Sequence, residues 1–513
     1  MNKKRFFMVL LLTGVYLVLL YLFTIFESSQ GITFGEAMWY SLATLSTVGY
    51  GDVVPKSPGG MLVGGFFAIL STFLLALIVG VVLSLMRGSL LPMLRLAFSV
   101  GKTWCIFEEC TPQSRTIGHN LQKESPRNLI IFTNDTAANS QNTDHSAKPG
   151  TSGIHTALSA EAVIRRAPAP GQCLVFCMAD NGFRNYQRAL SFMDSGAKVC
   201  CLSEYVPDRY PPSLTLFHPY ISCARQYWEK HPVLLSGESI VLIGSGRYAE
   251  ALLEQALCVN VFHPGQQIRY LVYGDFRKFR LNHPYLSQAC TWGDTLTFAS
   301  EPWNSDHTAL KEADRIILCF DDEMETLAAF ADLHKYVPTS AAIYARLSLV
   351  TTDLLIPFGS PDELLTPENV LHRRLEERAK TMHEIYLKSN HLTSPRWEDL
   401  DAFTRRSNLS SADHVLAKVR ILLGDPFREL TQETMQEAFV KWQNEWPQKK
   451  DFFRRVEHER WMRFHLMNNW QYSKVRDDRK RLHPSLLPFD RLDEKEQAKD
   501  DYAWELLGEL ARS

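Results

Sequence analysis

Two long apolar runs lie close together near the start of this 513-residue chain. The first extends from Phe6 to Phe26 and the second from Gly60 to Met86, and neither contains a charged residue. At about 1.5 Å of rise per residue, about 20 such residues match the ~30 Å hydrocarbon layer of a bilayer. The length of the first run and the lack of a small-residue cleavage site argue against a signal peptide. The sequence therefore predicts two membrane crossings.

Basic residues flank both runs and indicate how the chain is oriented. Lys3, Lys4 and Arg5 precede the first run, and Arg87 and Arg95 follow the second. Positive charge is retained on the cytoplasmic side of a membrane. The sequence therefore predicts a multi-pass protein of the cell (inner) membrane with both termini in the cytoplasm.

The segment between the runs contains an unusual polar stretch, LATLSTVGYGDVVP. Thr33 to Ser46 is too short to cross a bilayer and is predicted to form a half-length helix. Irregular backbone at membrane depth is tolerated where it lines a water-filled path, so the residues that follow should line one. The backbone carbonyls of Thr47, Val48, Gly49 and Tyr50, with the Thr47 hydroxyl, could replace the hydration shell of a bare cation.

This stretch resembles the selectivity filter of two-transmembrane potassium channels, a resemblance that covers about the first 90 residues. The matching residues are Thr47, Val48, Gly49, Tyr50, Gly51 and Asp52. The resemblance implies potassium ions held at the carbonyls, and a homotetramer, because four copies are needed to encircle the ion. The alternative is a glycine-rich turn between two anchoring helices.

Composition bounds the remaining, soluble part of the chain. The net charge of -2 and the pI of about 6.8 favour no nucleic-acid partner. The 10 cysteines lie between Cys105 and Cys319 and form neither a CxxC pair nor a zinc motif. Buried free thiols in a reducing compartment are therefore expected.

From Lys102 short apolar runs alternate with helical patterns, which is typical of buried parallel strands. The first four runs are TWCIF, NLIIF, CLVFC and KVCCL, and a polar segment of about residues 134–153 between the second and third is predicted to be disordered. The pattern then restarts with SIVLI, IRYLVYGD, RIILCF and AAIYARL. Two Rossmann-like units are predicted.

A glycine-rich loop follows the first strand of the second unit. Gly244, Gly246 and Ala249 form a GxGxxA pattern at a helix start, and Asp275 stands at a plausible ribose position. Such a loop presents backbone amides to a phosphate. A tight turn that packs a helix on a strand explains the pattern equally well.

The order of a pore followed by two such units resembles channels with paired cytoplasmic RCK domains, at the level of pattern over residues 102–359. The first unit departs from it, because TWCIF is followed by EECTPQSR without a glycine loop. Glu108 and Glu109 in that stretch suggest a divalent-cation site or, as the preferred interpretation, a solvated strand end.

The carboxyl-terminal region, about Lys380 to the end, resembles the RyR domain that is repeated in ryanodine receptors. The recurring pieces are Arg406-Ser407-Asn408, Ala412-Asp413-His414, EHERW, NNWQY, Arg476-Asp477-Asp478 and His483-Pro484. Asn469 replaces the glycine that usually precedes the second tryptophan.

Cations near aromatic side chains in this region could hold a flat anionic ligand. Guanidinium groups form bidentate hydrogen bonds with phosphates, and aromatic rings stack on bases. The candidates are Arg405, Arg406, His414, Lys418, Arg460, Trp461, Trp470, Tyr472 and Arg476. The alternative is that they form internal ion pairs with Asp413, Glu457, Asp477 and Asp478.

The predicted fold is multidomain. It comprises an α-helical pore at 1–89, a linker at 90–101, α/β Rossmann-like RCK domains at 102–235 and 236–366, and a mostly helical RyR-like domain at 367–513. The predicted function is a potassium-selective channel, not an enzyme, gated by a small anionic ligand such as a nucleotide or cyclic nucleotide. NAD and Ca²⁺ stay open as ligands. Two alternatives stay open as functions: a second-messenger effector channel of a defence system, and a membrane-tethered NAD(P)-dependent sensor or enzyme.

Overall fold

The computed structural model describes residues 3–85, 91–99, 101–134, 153–204, 206–211, 213–235, 237–288, 292–305, 307–337, 339–348 and 353–512. The segment predicted to be disordered lies outside them, apart from its two end residues. The described residues form two compact units, one up to Ser99 and the other from residue 101 onward. The second unit is not divided further, so the domain boundaries predicted within it stay predictions.

The first unit is helical. Its helices are α1 (Lys3–Phe26), α2 (Phe34–Leu45), α3 (Pro58–Leu85) and α4 (Leu91–Ala97). A reciprocal capping box starts α2, where the Glu36 amide donates to the Thr33 hydroxyl and the Thr33 amide donates to the Glu36 carboxylate. The half-length helix predicted from the sequence is therefore α2.

Aromatic contacts join the three longer helices of this unit. Phe23 of α1 stacks on Tyr40 of α2 with ring centroids 4.7 Å apart, and both rings pack against Phe67 of α3. Among the residues that the structure describes, no helix is both long and apolar enough to cross a membrane. The two crossings stay predictions from the sequence.

The second unit contains two six-stranded sheets. The strands of the first sheet are β1 (Thr103–Phe107), β2 (Asn128–Phe132), β3 (Ile154–His155), β4 (Cys173–Cys177), β5 (Lys198–Leu202) and β6 (Leu214–Phe217). They pair in parallel in the order β3-β2-β1-β4-β5-β6. The helices of this sheet are α5 (Pro112–Glu124), α6 (Ala160–Ile164), α7 (Gly182–Ser191) and α8 (Pro219–Lys230).

The second sheet repeats this topology. Its strands are β7 (Ser239–Ser245), β8 (Arg269–Tyr273), β9 (Thr295–Phe298), β10 (Arg315–Phe320), β11 (Ala342–Arg346) and β12 (Ile356–Phe358), in the order β12-β11-β10-β7-β8-β9. Its helices are α9 (Gly246–Val259), α10 (Arg277–Asn282), α11 (His307–Lys311) and α12 (Glu323–Tyr336). Both sheets are doubly wound, so the predicted Rossmann-like fold is confirmed.

The remainder of the second unit is mostly helical. Its helices are α13 (Pro361–Leu364), α14 (Pro367–Val370), α15 (Arg374–Ser389), α16 (Ala402–Leu423), α17 (Gln432–Met467), α18 (Glu494–Gln497) and α19 (Tyr502–Arg512). Two short parallel strands, β13 (Gln471–Tyr472) and β14 (Leu482–His483), follow α17. Helix α17 is kinked at Lys449, just after Pro447, because proline cannot continue the helical hydrogen bonding.

The cysteines of the described part of the chain are free thiols, and all of them except Cys110 are buried. Burial raises the pKa of the Cys200 and Cys201 thiols to about 12. These thiols are packing residues of the sheets, and this is the role that the sequence predicted for them.

Candidate functional site

The candidate filter follows the end of α2 and has an alternating backbone. Thr47, Gly49 and Gly51 adopt left-handed φ angles of 62°, 57° and 74°, whereas Val48 and Tyr50 between them do not. The amides of Val48 and Gly49 both donate to the Ala43 carbonyl, at 3.0 and 3.1 Å. The alternation fits a segment whose successive carbonyls turn toward one side, and two of its three left-handed positions are glycine.

A tryptophan of α2 fastens this segment to the helix. The Trp39 ring stacks on Tyr50 with centroids 5.5 Å apart, and its Nε1 donates to the Asp52 carboxylate at 2.7 Å. These contacts hold both ends of the Tyr50-Gly51-Asp52 turn against α2. The predicted filter residues are thus brought together, with Trp39 as a supporting residue.

The glycine-rich loop of the second sheet lies at the crevice between β7 and β10, where ligands bind in such folds. A carboxylate of the chain itself fills its phosphate position. The Asp321 oxygens accept from the amides of Arg247 and Tyr248, both at 3.1 Å, at the start of α9. A Cβ added to Gly246, whose φ is 86°, would lie 2.3 Å from that carboxylate.

The other residues of the predicted nucleotide site have packing and surface roles. A Cβ at Gly244 would lie 1.9 Å from the Cys319 carbonyl oxygen, so glycine is required for the approach of β7 to β10. Ala249 is buried in α9. Asp275 is about half exposed and bonds to Arg277, which lowers the pKa of the carboxyl to about 2. The loop is a tight turn closed by Asp321, and the sequence pattern alone did not reveal that carboxylate.

Replacing Asp321 with alanine is expected to lower the free energy of unfolding by about 1–2 kcal/mol, the typical effect of losing a carboxylate from a helix N-terminus. Denaturation of the full-length protein in detergent measures the change. Asp332→Ala is the control, because Asp332 is an exposed residue inside α12. Equal stability of the two variants would show that Asp321 does not hold the loop.

Glu108 and Glu109 follow β1 at the matching crevice of the first sheet. Glu108 forms ion pairs with Arg188, and Glu109 with Arg184. The preferred interpretation, a strand end exposed to solvent, is wrong for Glu108. This side chain is buried and pairs with Arg188 of α7. No group of potential metal ligands occurs among the described residues.

The residues predicted for a ligand site in the helical region lie in four different places. Three of them, His414, Lys418 and Arg460, surround the buried carboxylate of Glu457. Lys418 Nζ lies 2.8 Å from one Glu457 oxygen, and Arg460 Nε donates to the other at 2.9 Å. Both cations therefore share one carboxylate partner inside the protein.

His414, the buried His465 and the partly buried His231 are held neutral. Burial and the nearby Lys418 charge lower the pKa of His414 to about 3, and its Nε2 bonds to the Val261 carbonyl at 2.8 Å. Burial, chiefly, lowers the pKa of His465 to about 3 and that of His231 to about 4. In the folded protein, all three imidazoles stay neutral over a pH range in which a free imidazole takes up a proton.

Stability is therefore expected to fall on acidification below about pH 6.5. Between that pH and about 4 the unfolded chain binds protons at these histidines and the folded chain does not, at about 1.4 kcal/mol per pH unit for each. Denaturation of the full-length protein at pH 7 and pH 5 measures the slope, and His414→Gln should flatten it. A slope that is the same in both proteins would contradict the assignment.

Trp461 and Trp470 belong to an aromatic cluster rather than to an open site. The Trp461 ring lies 4.0 Å from the His465 ring and 4.9 Å from the His483 ring, between centroids. Trp470 is buried and stacks on Phe403 at 5.0 Å. This cluster fixes the end of α17 against the segment that follows it.

Tyr472 and Arg476 lie on the surface. Tyr472 is exposed on β13, and Arg476 Nε donates to the Asp478 carboxylate at 2.7 Å, with both side chains more than half exposed. The internal ion pairs considered from the sequence thus include Arg476 with Asp478 as well as the Glu457 pairs.

Arg405 and Arg406, at the start of α16, line a cavity of about 160 Å³. Arg406 forms an ion pair with Glu254 of α9, and the Arg405 guanidinium lies 4.6 Å from the centroid of the Tyr210 ring. Sequence reasoning identified these two arginines. It missed Tyr210, Arg225 and Arg373 of the same cavity, because nothing in their local sequence marks them.

The two ends of the chain match two different families. Residues 4–88 match the family model described as ion channel, and residues 440–510 match that of the RyR domain. The chain thus carries an ion-channel domain followed, at its other end, by a RyR domain, and the resemblances recognised at both ends are confirmed.

Two of the curated relatives that match are described as potassium channels. One is a putative potassium channel protein of Rhodopseudomonas palustris, 46% identical over 50 residues, which are 10% of this chain and 12% of that protein. Another is a potassium voltage-gated channel protein of Caenorhabditis elegans, 40% identical over 57 residues, 11% of each chain. The chain spans about a tenth of the length of these relatives.

Two solved structures show a distant likeness. The crystal structure of GsuK bound to ADP is 15% identical, covers 71% of this chain and 99% of its own, and has a TM-score of 0.34. The A chain of dipicolinate synthase from Bacillus subtilis is 13% identical, covers 56% of this chain and 98% of its own, and has a TM-score of 0.22. Both scores are low, and nothing about this chain follows from them.

Proposed function

We propose that four copies of this chain form a potassium-selective channel in the cell membrane. The observation that carries the proposal is the Thr47–Asp52 segment, in which every second residue is left-handed and Trp39 fixes the turn. The match of residues 4–88 to ion channels supports it. In the tetramer, carbonyls of Thr47, Val48, Gly49 and Tyr50 replace water around a dehydrated potassium ion.

Binding of a ligand to the second unit regulates this pore. A ligand that binds one conformation of the unit more tightly than the other shifts the equilibrium toward that conformation, by no more than its differential affinity. The chain performs no chemistry on the ligand. The filled phosphate position at Asp321 disfavours the alternative of an NAD(P)-dependent enzyme that uses the glycine-rich loop.

The test is ion flux from liposomes that contain the purified full-length protein. Potassium flux is compared with sodium flux while nucleotides, cyclic mono- and dinucleotides, NAD and Ca²⁺ are added singly to the cytoplasmic face. We expect potassium-selective flux that one of the organic anions changes. Flux that does not discriminate between the two ions would overturn the proposed selectivity.

Absence of flux in every condition, from protein shown to be tetrameric, would overturn the channel itself and favour a membrane-tethered sensor. A response to cyclic dinucleotides alone would favour the defence-system effector over a channel of ordinary potassium balance.

A further inference from the structure

The cavity beside Arg405 lies where three parts of the second unit meet. Its walls come from β6 and α8 of the first sheet, from α9 of the second sheet, and from α15 and α16 of the helical region. Its volume of about 160 Å³ is about ten times the roughly 15 Å³ needed to hold one water molecule. A small organic molecule can therefore enter, and it would touch all three parts at once.

The side chains that line the cavity carry more positive than negative charge. Four arginines face three carboxylates, those of Glu254, Glu376 and Asp413. Three of the arginines have a carboxylate partner, since Arg225 pairs with Asp413, Arg373 with Glu376 and Arg406 with Glu254. His218 adds no charge near neutral pH, because burial lowers its pKa. One positive charge, that of Arg405, is left over.

Arg405 is buried without a counter-charge. The residue is 7% exposed, and no carboxylate pairs with it in the part of the chain that the structure describes. Its Nη2 donates to the carbonyls of Leu400 and Glu398, at 3.1 and 3.4 Å, but its Nε has no acceptor among the described residues. A buried, unpaired guanidinium is costly, and an anion in the cavity would offset that cost.

A second guanidinium at this site also has an unused donor. Arg373 Nη2 donates to the Tyr210 hydroxyl at 3.2 Å, whereas its buried Nε has no acceptor among the described residues. Arg373 is held at a φ of 51°, which is strained for a residue other than glycine. The guanidinium groups of two lining residues, Arg405 and Arg373, suit a phosphate, whose several oxygens can accept from both.

Apolar side chains complete the walls. They are Leu216, Phe217, Ile221, Leu409 and Phe464. Because they offer no hydrogen bonds, they suit the face of a flat ring rather than a second charged group.

We propose that this cavity binds a mononucleotide, with its phosphate at Arg405 and Arg373 and its base against the apolar wall. The binding site rests on contacts within the second unit alone. Its role in opening or closing the pore rests on the proposed channel function. Since the ligand would bridge the two sheets and the helical region, it would stabilise one arrangement of the three.

The test is calorimetric titration of the full-length protein in detergent. The probes are the 5′-monophosphates and 3′,5′-cyclic monophosphates of adenosine and guanosine, with adenosine and inorganic phosphate as partial ligands. At least one mononucleotide should bind, and its nucleoside or phosphate alone at least tenfold more weakly. Failure of all four mononucleotides to bind would overturn the proposal.

Two variants locate the site. Arg405→Gln removes the unpaired charge and should weaken binding at least tenfold, as expected for loss of charged hydrogen bonds. If that variant does not fold, Arg373→Gln, at the second arginine of the proposed phosphate site, takes its place. The control is Arg479→Gln, an exposed arginine outside the cavity, which should bind as the unaltered protein does. Equal affinity of a folded cavity variant and the control would place the ligand elsewhere.

Binding and flux separate this inference from the channel itself. Mononucleotide binding that Arg405→Gln abolishes, in a protein without ion flux, would support the site and overturn the channel. Selective flux from a protein that binds no mononucleotide would support the channel and overturn the proposed binding site.

Discussion

Replacing Glu457 with alanine is expected to lower the free energy of unfolding by about 3–5 kcal/mol, the usual cost of removing one partner from a buried ion pair. Glu457 is 4% exposed, and its carboxylate is the shared partner of Lys418 and Arg460. Without it, two cations remain in the interior with no carboxylate between them. Denaturation of the full-length protein, followed by circular dichroism, measures the loss.

Glu437→Ala is the matched control, because Glu437 pairs with Arg428 at the surface of α17. Exposed pairs contribute about 1 kcal/mol at most. If the Glu457 variant lost no more stability than the Glu437 variant, the buried network would not hold the helical region together.

The same carboxylate should contribute to acid denaturation. Burial opposes its ionisation, but the charges of Arg460 and Lys418 outweigh burial and lower the pKa of Glu457 to about 2. The unfolded carboxyl takes up its proton near 4.5, so the stabilisation is complete above that pH and is lost as the pH falls toward 2. Glu457→Gln should therefore remove this part of the pH dependence.

Replacing Gly49 with alanine is expected to abolish selective potassium flux. Gly49 has a φ of 57°, in the left-handed region where a Cβ costs roughly 1–2 kcal/mol per residue. In a tetramer that cost applies four times around one ion path. The strain would turn the adjoining carbonyls away from the ion, and the liposome assay with potassium and sodium measures the effect.

Gly14→Ala is the control, because Gly14 lies inside α1 and an added Cβ there meets nothing within 4 Å. Its flux should equal that of the unaltered protein. A Gly49 variant that conducts potassium with full selectivity would contradict the role proposed for the segment.

The eight apolar runs recognised in the sequence are eight of the twelve sheet strands. They could be predicted because strands buried on both faces need uninterrupted apolar residues. The four missed strands, β3, β6, β9 and β12, are two to four residues long. Such short runs carry too little pattern, and pairing with a neighbouring strand decides their conformation.

The candidate sites also differ in how well the sequence could predict them. Thr47–Asp52 could be located because its function depends on one continuous segment. Arg405 and Lys418 look alike in the sequence, yet one lines a cavity and the other pairs with Glu457. That difference depends on residues such as Tyr210 and Glu457, which are distant in sequence, so no local pattern could reveal it.

The carboxylate at the start of α9 bears on which ligands the glycine-rich loop could bind. Since Asp321 accepts from the amides of Arg247 and Tyr248, the start of α9 already has an anion, and that anion belongs to the chain itself. A dinucleotide would first have to displace an anion that is covalently part of the chain and so is always present. Under the proposed channel function, the nicotinamide pool would therefore not act on the pore through this loop without displacing Asp321.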